Sequence, residues 1–286
     1  MLRFLVRRLI VALLVAATVM TLAFILTRLS GDLATAIAGP NATQADVDAI
    51  RKAYGLDRPV ITQFFDWVGR AVTGDLGESY FFKVRVSTLI GERMPVTLTL
   101  GLTGLVIALV VSLPLGILAA VRENTAFDRF VLLVALIGQA LPSFWLGLIL
   151  MIVFGLQLGW LPISGTESWQ SFIMPGVVLA FSAVPALTRL TRAGMIQAMG
   201  SDYIRTARAK GLRTPTVLFK HALRNAIIPV VAVAAVQFGF FLGGSIVIES
   251  VFALHGVGYL GLESISRADF PVVRRSFSSS PRSMSC

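Results

Sequence analysis

Residues 96–121 read VTLTLGLTGLVIALVVSLPLGILAAV, a run of 26 positions without one charged side chain. A helix rises 1.5 Å per residue, so about 20 apolar residues cross the hydrocarbon core of a bilayer. Four more stretches share the property: residues 9–27, 130–158, 168–188 and 226–248. The composition agrees. Of 286 residues, 56% are hydrophobic and 14% are charged, against about 25% charged in a soluble domain. The five runs predict an all-α, polytopic membrane helix bundle. Pro142 lies in the third run, and Pro175 and Pro185 in the fourth. Prolines inside spans are tolerated where neighbouring helices re-satisfy the freed backbone groups, which fits a packed bundle better than a lone anchor.

The start of the chain invites a second reading. Arg3, Arg7 and Arg8 precede an apolar run, and Ala36-Ile37-Ala38 resembles a cleavage site. The run exceeds the ~7–15 apolar residues of a signal peptide and the small-residue site lies too far beyond it. An uncleaved first span is therefore expected.

Basic residues orient the bundle. With the N-terminus inside, the segment 189–224 is inside too, and it carries Arg189, Arg192, Arg205, Arg208, Lys210, Arg213, Lys220 and Arg224. Short loops on the cytoplasmic side are the ones rich in Lys and Arg. The loop 28–95 then lies outside with eight basic and eight acidic residues; long loops translocate largely regardless of charge. This placement accounts for the net charge of +10, and nucleic acid is not among the expected partners. No span holds an interior Asp, Glu, Lys or Arg, which disfavours a proton-coupled carrier.

Three parts outside the spans carry further signals. In the outer loop, Thr43 stands in N-cap position, and Val47, Ile50 and Tyr54 recur at helical spacing. A second short amphipathic helix, ITQFFDWVGRAV at 61–72, carries Phe64, Phe65 and Trp67, as would a helix lying in the outer membrane interface. On the inside, residues 195–225 read as helix, glycine turn, helix. Ser201 caps the first helix through Lys210, Gly211 breaks it, and Pro215 starts a second, lined by Val217, Leu218 and Ala222. On composition alone, a basic surface helix attracted to anionic lipid is the favoured reading of this segment. After the fifth span, ESVFALHGVGYL at 249–260 has glycines at 256 and 258 that permit tight bends.

No catalytic constellation is present. His221 and His255 fall in loops on opposite sides, and no CxxC, HExxH or GxxxxGK[ST] occurs. Cys286 is the single cysteine, so no internal disulfide forms. No metal, no cofactor and no ATP hydrolysis by this chain are expected.

Several separated motifs, in order, resemble the permease subunits of ABC importers of the dipeptide, oligopeptide and nickel family. They are ATQADVDAIRKAYGLDRPVITQFFDW (42–67), GDLGESY (74–80), ERMPVTLTL (92–100), ALPSFWLGLILMIVF (140–154), RTARAKG (205–211) with HALRNAIIPV (221–230), and ESVFALHGVGYL with RADFPVV (267–273). The long first outer loop is similar to that of the B-type subunit. The glutamate of the wider coupling motif is absent, and His255 stands where the family usually has proline.

The resemblance implies a type I importer fold with a sixth span after Val273. It also implies partners: a second homologous permease subunit, two ATPase subunits and an extracytoplasmic substrate-binding protein, in a bacterial inner membrane. Arg205, Thr206, Ala207, Arg208, Ala209, Lys210 and Gly211, with Pro229, would form the ATPase-coupling loop. There the small residues permit close approach and the basic ones pair with acidic groups. Glu249, His255, Gly256 and Gly258 would face the binding protein. Di- or oligopeptides are the first substrate class implied, nickel or another small solute the second; a non-transporting scaffold would need no ATPase.

The tail RRSFSSSPRSMSC at 274–286 is too polar to span. Serine codons of the TCN type, read one base earlier, encode Phe, Leu, Ile or Val. A reading-frame shift just after Val273 is therefore expected to hide the sixth span, and a chain lacking that helix is expected not to transport. Sequencing the gene checks this.

Overall fold

The computed structural model describes residues 2–29, 32–38, 42–79 and 81–266. The RADFPVV stretch and the expected sixth span and tail lie outside the described residues. The chain divides into two compact units, 1–96 with 255–286, and 97–254.

In the first unit, α1 (Leu2–Leu29) is uncharged on every face over residues 9–27, and Leu9, Ile10, Val11, Leu13 and Leu14 are all exposed. A helix apolar all round suits hydrocarbon. Phe24, near its end, is buried. The short α2 (Leu33–Ala38) is followed by α3 (Gln44–Ala53), which starts at the expected cap. The Thr43 side chain accepts from the Asp46 N–H and the Asp46 carboxylate accepts from the Thr43 N–H, a reciprocal capping box. Val47 is buried as its spacing predicts, whereas Tyr54 ends the helix exposed.

α4 (Val60–Val72) is the second amphipathic helix. Phe64 and Trp67 pack on Phe24, with ring centroids at 5.3 and 5.9 Å. Val60, Ile61 and Phe65 form an exposed large apolar face. Two of the three aromatics assigned to an interface thus serve the chain's own packing. Residues 86–96 open α5 (Val86–Val121), and here Val86 and Leu89 pack with Leu260 of the last described helix.

In the second unit, residues 97–121 of α5 are followed by α6 (Ala126–Ala140) and α7 (Ser143–Leu150). The expected single third span, 130–158, is thus interrupted. Pro142 has no N–H to give and its ring excludes the α conformation from the residue before it. Leu141 accordingly sits at φ −81°, ψ 128°. α7 then winds more loosely as a π-helix over Met151–Gln157.

The fourth span is longer than expected. A 3-10 turn (Trp169–Phe172) leads into α8 (Ile173–Met199), which carries Arg189 and Arg192 within it. α9 (Asp202–Ala209) follows, then α10 (Thr214–Thr216), a π-helical stretch (Val217–Ala222) and α11 (Leu223–Gly244). The second helix expected inside 195–225 is therefore not separate; helical winding continues from 214 to 244. α12 (Ile246–Val251) closes the unit, and α13 (Val257–Ser266) returns to the first. Among the described residues four helices are long and apolar enough to cross a membrane: Val6–Leu26, Val86–Val121, Trp169–Met199 and Thr214–Gly244.

α8 is the centre of the second unit and packs against α11, α6 and α7. Its contact with α5 depends on small residues, as helix contacts in lipid commonly do. A Cβ on Gly116 would lie 2.6 Å from the Thr191 Cβ and 2.9 Å from the Thr188 carbonyl oxygen. Gly116→Leu is therefore expected to push α5 off α8 and to cost about 3 kcal/mol, the upper end of ordinary overpacking. Gly91→Leu, where a Cβ meets nothing within 4 Å, is the control. Thermal unfolding in mild detergent checks the pair; equal midpoints would remove the argument.

Candidate functional site

The basic segment 195–225 is built on α9. Ser201 takes the extended N-cap conformation, φ −80° and ψ 156°, but its side chain makes no capping bond to the helix. The other end is closed more completely. Gly211 sits at φ +73°, in the left-handed region that suits glycine. Its N–H donates to the Arg208 carbonyl at 2.9 Å, and the Leu212 N–H donates to the Ala207 carbonyl at 3.3 Å. These two bonds are a Schellman motif, which satisfies the orphan carbonyls of the last turn. The glycine break expected at 211 is thus present.

One face of α9 is buried and the other is exposed. Ile204 (0%) and Ala207 (6%) pack into a cluster with Ile117 and Ala120 of α5, Met195 and Ala198 of α8, Val217 and Ala222 of the π-helical stretch, and Ala226 of α11. Arg205, Thr206, Arg208, Ala209, Lys210 and Gly211 are exposed. Ala207 is therefore not on the exposed face; its small side chain lets α9 sit on its own chain. Pro229 is not in this segment either, but inside α11. Arg205 pairs with Asp202 at 3.5 Å, with both side chains more than four-fifths exposed. Such a pair contributes little, so Arg205 stays available.

Just before this segment, α8 is tied to α6 by a pair of residues not picked out from sequence. Arg192 Nε donates to Asp128 Oδ1 at 2.6 Å and an Arg192 terminal N–H donates to Oδ2 at 2.7 Å. This two-pronged geometry is the strong form of the pair. Oδ2 also accepts from the Asn124 backbone N–H at 3.0 Å. The Arg192 guanidinium, with the Asn124 N–H, holds the Asp128 carboxyl below its ordinary value, so it is ionised at neutral pH. The legible signal was Thr125 three residues ahead of Asp128, a capping pattern; nothing local pointed to Arg192 as its partner.

The four residues expected on the outer side differ in exposure. Glu249 lies in α12 and is fully buried. Its Oε1 accepts from Thr97 Oγ1 and from Ser245 Oγ, each at 2.8 Å. It does not face outward. The bend after it is made by Ala253 at φ 50°. In the first unit, His255 is exposed with its ring 5.0 Å from that of Tyr259, and its carbonyl accepts from Arg93 at 3.3 Å. Gly256 is buried just before α13 and Gly258 lies inside that helix. Neither has positive φ, so neither makes the bend expected of it.

Residues 112–279 match the family model of the binding-protein-dependent transport system inner membrane component. Residues 1–101 match the model of that membrane component's N-terminal part. The first match runs past Val273, where the sequence motifs end. Among curated proteins, the glutathione transport system permease protein GsiC of Escherichia coli O6:H1 is 43% identical over 246 residues, 86% of this chain and 80% of that protein. GsiC of E. coli K12 and of Shigella dysenteriae are each 42% identical over the same shares. Among solved structures, the MetNI methionine ABC transporter, in inward-facing conformations, aligns with a TM-score of 0.54 at 20% identity. It covers 65% of this chain and 88% of the matched one. That likeness concerns the fold.

Proposed function

Because this chain belongs to the inner-membrane components of binding-protein-dependent transport systems, we propose that it lines the pathway for di- or oligopeptides in an ATP-driven importer and couples that pathway to ATPase subunits through α9. The chain is the permease, and hydrolysis resides in separate subunits. The partners are a second homologous permease, two ATPase subunits and an extracytoplasmic binding protein. The N-terminus and α9 face the cytoplasm of a bacterial cell, the side on which its basic residues concentrate.

The single observation that carries the coupling role is the two-sided character of α9. Its buried face grips residues of both α8 and α11, so a force on its exposed face moves the two helices together. Its exposed face offers three cations, Arg205, Arg208 and Lys210, beside the small Ala209. Small side chains allow close approach, and the cations suit an acidic cleft. The peptide class is supported by the similarity to permeases named for glutathione, itself peptide-like. Nickel or another small solute is the alternative substrate within the same reading.

Reversing the three cations together, Arg205→Glu, Arg208→Glu and Lys210→Glu, is expected to abolish co-purification of ATPase subunits in mild detergent. The permease itself remains in the membrane, since all three side chains are exposed. Retention of the ATPases by the triple variant would remove α9 from the contact. An unaltered chain that never holds an ATPase would instead favour a non-transporting scaffold. Competition of peptides and of nickel for uptake by the reconstituted system separates the two substrate classes.

A further inference from the structure

The Asp128–Arg192 pair lies outside the α9 surface, and the coupling role just proposed does not use it. We propose that this pair is a positioning strut: it carries displacement of α9 from α8 into α6, and so moves the third membrane segment in step with the coupling helix. The inference rests on the transport reading and adds to it a route and two residues.

Four observations place the pair on that route. Arg192 sits on the last two turns of α8, whose C-terminus runs through Gly200 directly into α9. Asp128 sits in the first turn of α6 with its side chain 3% exposed, against 21% for Arg192. The same carboxylate accepts from the Asn124 N–H, in the turn between α5 and α6, where Asn124 has φ 63°. One side chain thus joins that turn, the start of α6 and the inner end of α8. Beside Arg192, Thr191 is the residue in closest approach to Gly116 of α5.

The rest of the α6–α8 contact is of a different kind. Near the other end of α6, a Cβ on Gly138 would rest 3.4 Å from the Phe181 ring and 3.7 Å from Pro185, an apolar contact. Apolar faces slide past one another at low cost, which is how packed helices shear. The opposite face of α6, with Phe130, Leu133 and Ile137, is exposed. A guanidinium held by both nitrogens on one carboxylate does not slide, because rotating or shifting either partner breaks both bonds. The polar clamp at the inner end is therefore what makes α6 follow α8.

The test keeps the charges and changes the fork. Arg192→Lys and Asp128→Glu, each in a chain that carries the expected sixth span, are assembled with the partner permease and ATPases in proteoliposomes with the binding protein outside. A lysine keeps one cation but not the two-pronged geometry. ATPase subunits are expected to co-purify as with the unaltered chain, with ATP hydrolysis still stimulated by the loaded binding protein. Peptide taken up per ATP hydrolysed is expected to fall at least about tenfold, the size of an ordinary coupling free energy. A merely structural role would lower the amount of complex and leave that ratio alone. An unchanged ratio overturns the proposal. So does failure of both variants to assemble, which would assign the pair to folding alone. Failure of the unaltered chain to bind ATPases would overturn the transport reading itself, and this inference with it.

Discussion

In a protein that carries the expected sixth span, Gly211→Val is expected to abolish ATP-driven uptake, by at least about tenfold, while insertion and accumulation stay normal. The obstacle is the backbone and not crowding: a Cβ at 211 would meet nothing within 4 Å. At φ +73° an L-residue loses about 1–2 kcal/mol, and a β-branched one is a genuine outlier there. Relaxing the strain dismantles the Schellman bonds at Arg208 and Ala207. Leu212 then leaves α9 in another direction, and Val217 and Ala222 no longer meet Ile204 and Ala207 in the shared cluster. α9 would stay helical but lose its fixed seat between α8 and α11. Gly211→Asn is the matched control, since asparagine tolerates the left-handed region; it should keep most of the uptake. Uptake in proteoliposomes, normalised to inserted protein, decides the case. Normal transport by the valine variant would show that the turn carries no force.

Arginine at 207 and at 209 should give opposite kinds of failure. Ala207 is 6% exposed within an apolar cluster, so Ala207→Arg must either bury a cation without a partner or lift α9 off its seat. Burying an uncompensated charge costs several kcal/mol. The variant is expected to lose folded protein, read as a lower yield and a lower unfolding midpoint in detergent. Ala209 is exposed, so Ala209→Arg should fold normally and instead hinder the close approach of an ATPase, read as weaker co-purification. If both variants folded equally well, Ala207 would not be seated in the apolar cluster.

Four of the five uncharged runs coincide with helices long and apolar enough to cross a membrane, and they were legible because the mechanisms act locally. Long uncharged runs need no tertiary context to prefer hydrocarbon. Thr43 with Asp46 caps α3 by a bond across three residues, and Gly211 ends α9 because only its own φ is at issue. Even the break in the third apolar run was latent in Pro142, although the uncharged residues around it concealed the consequence.

What tertiary structure alone decided concerns which side of each helix is hidden. Ala207 and Ala209 are the same residue two positions apart, and a straight-chain reading made both small contacts for a partner. The cluster on α5, α8 and α11 hides one and leaves the other exposed. Glu249 read as an outward charge because it follows the fifth span. It is buried because Thr97, 152 positions away in the chain, reaches it with a hydroxyl. Arg192 and Asp128 are 64 positions apart; Arg192 read as one more inside charge, and Asp128 was not singled out from sequence. Hydropathy and capping depend on neighbours in sequence, and so they are legible there. The pairing of a carboxylate with a distant hydroxyl or guanidinium depends on helix rotation and depth, which only the packing of α5, α6 and α8 supplies.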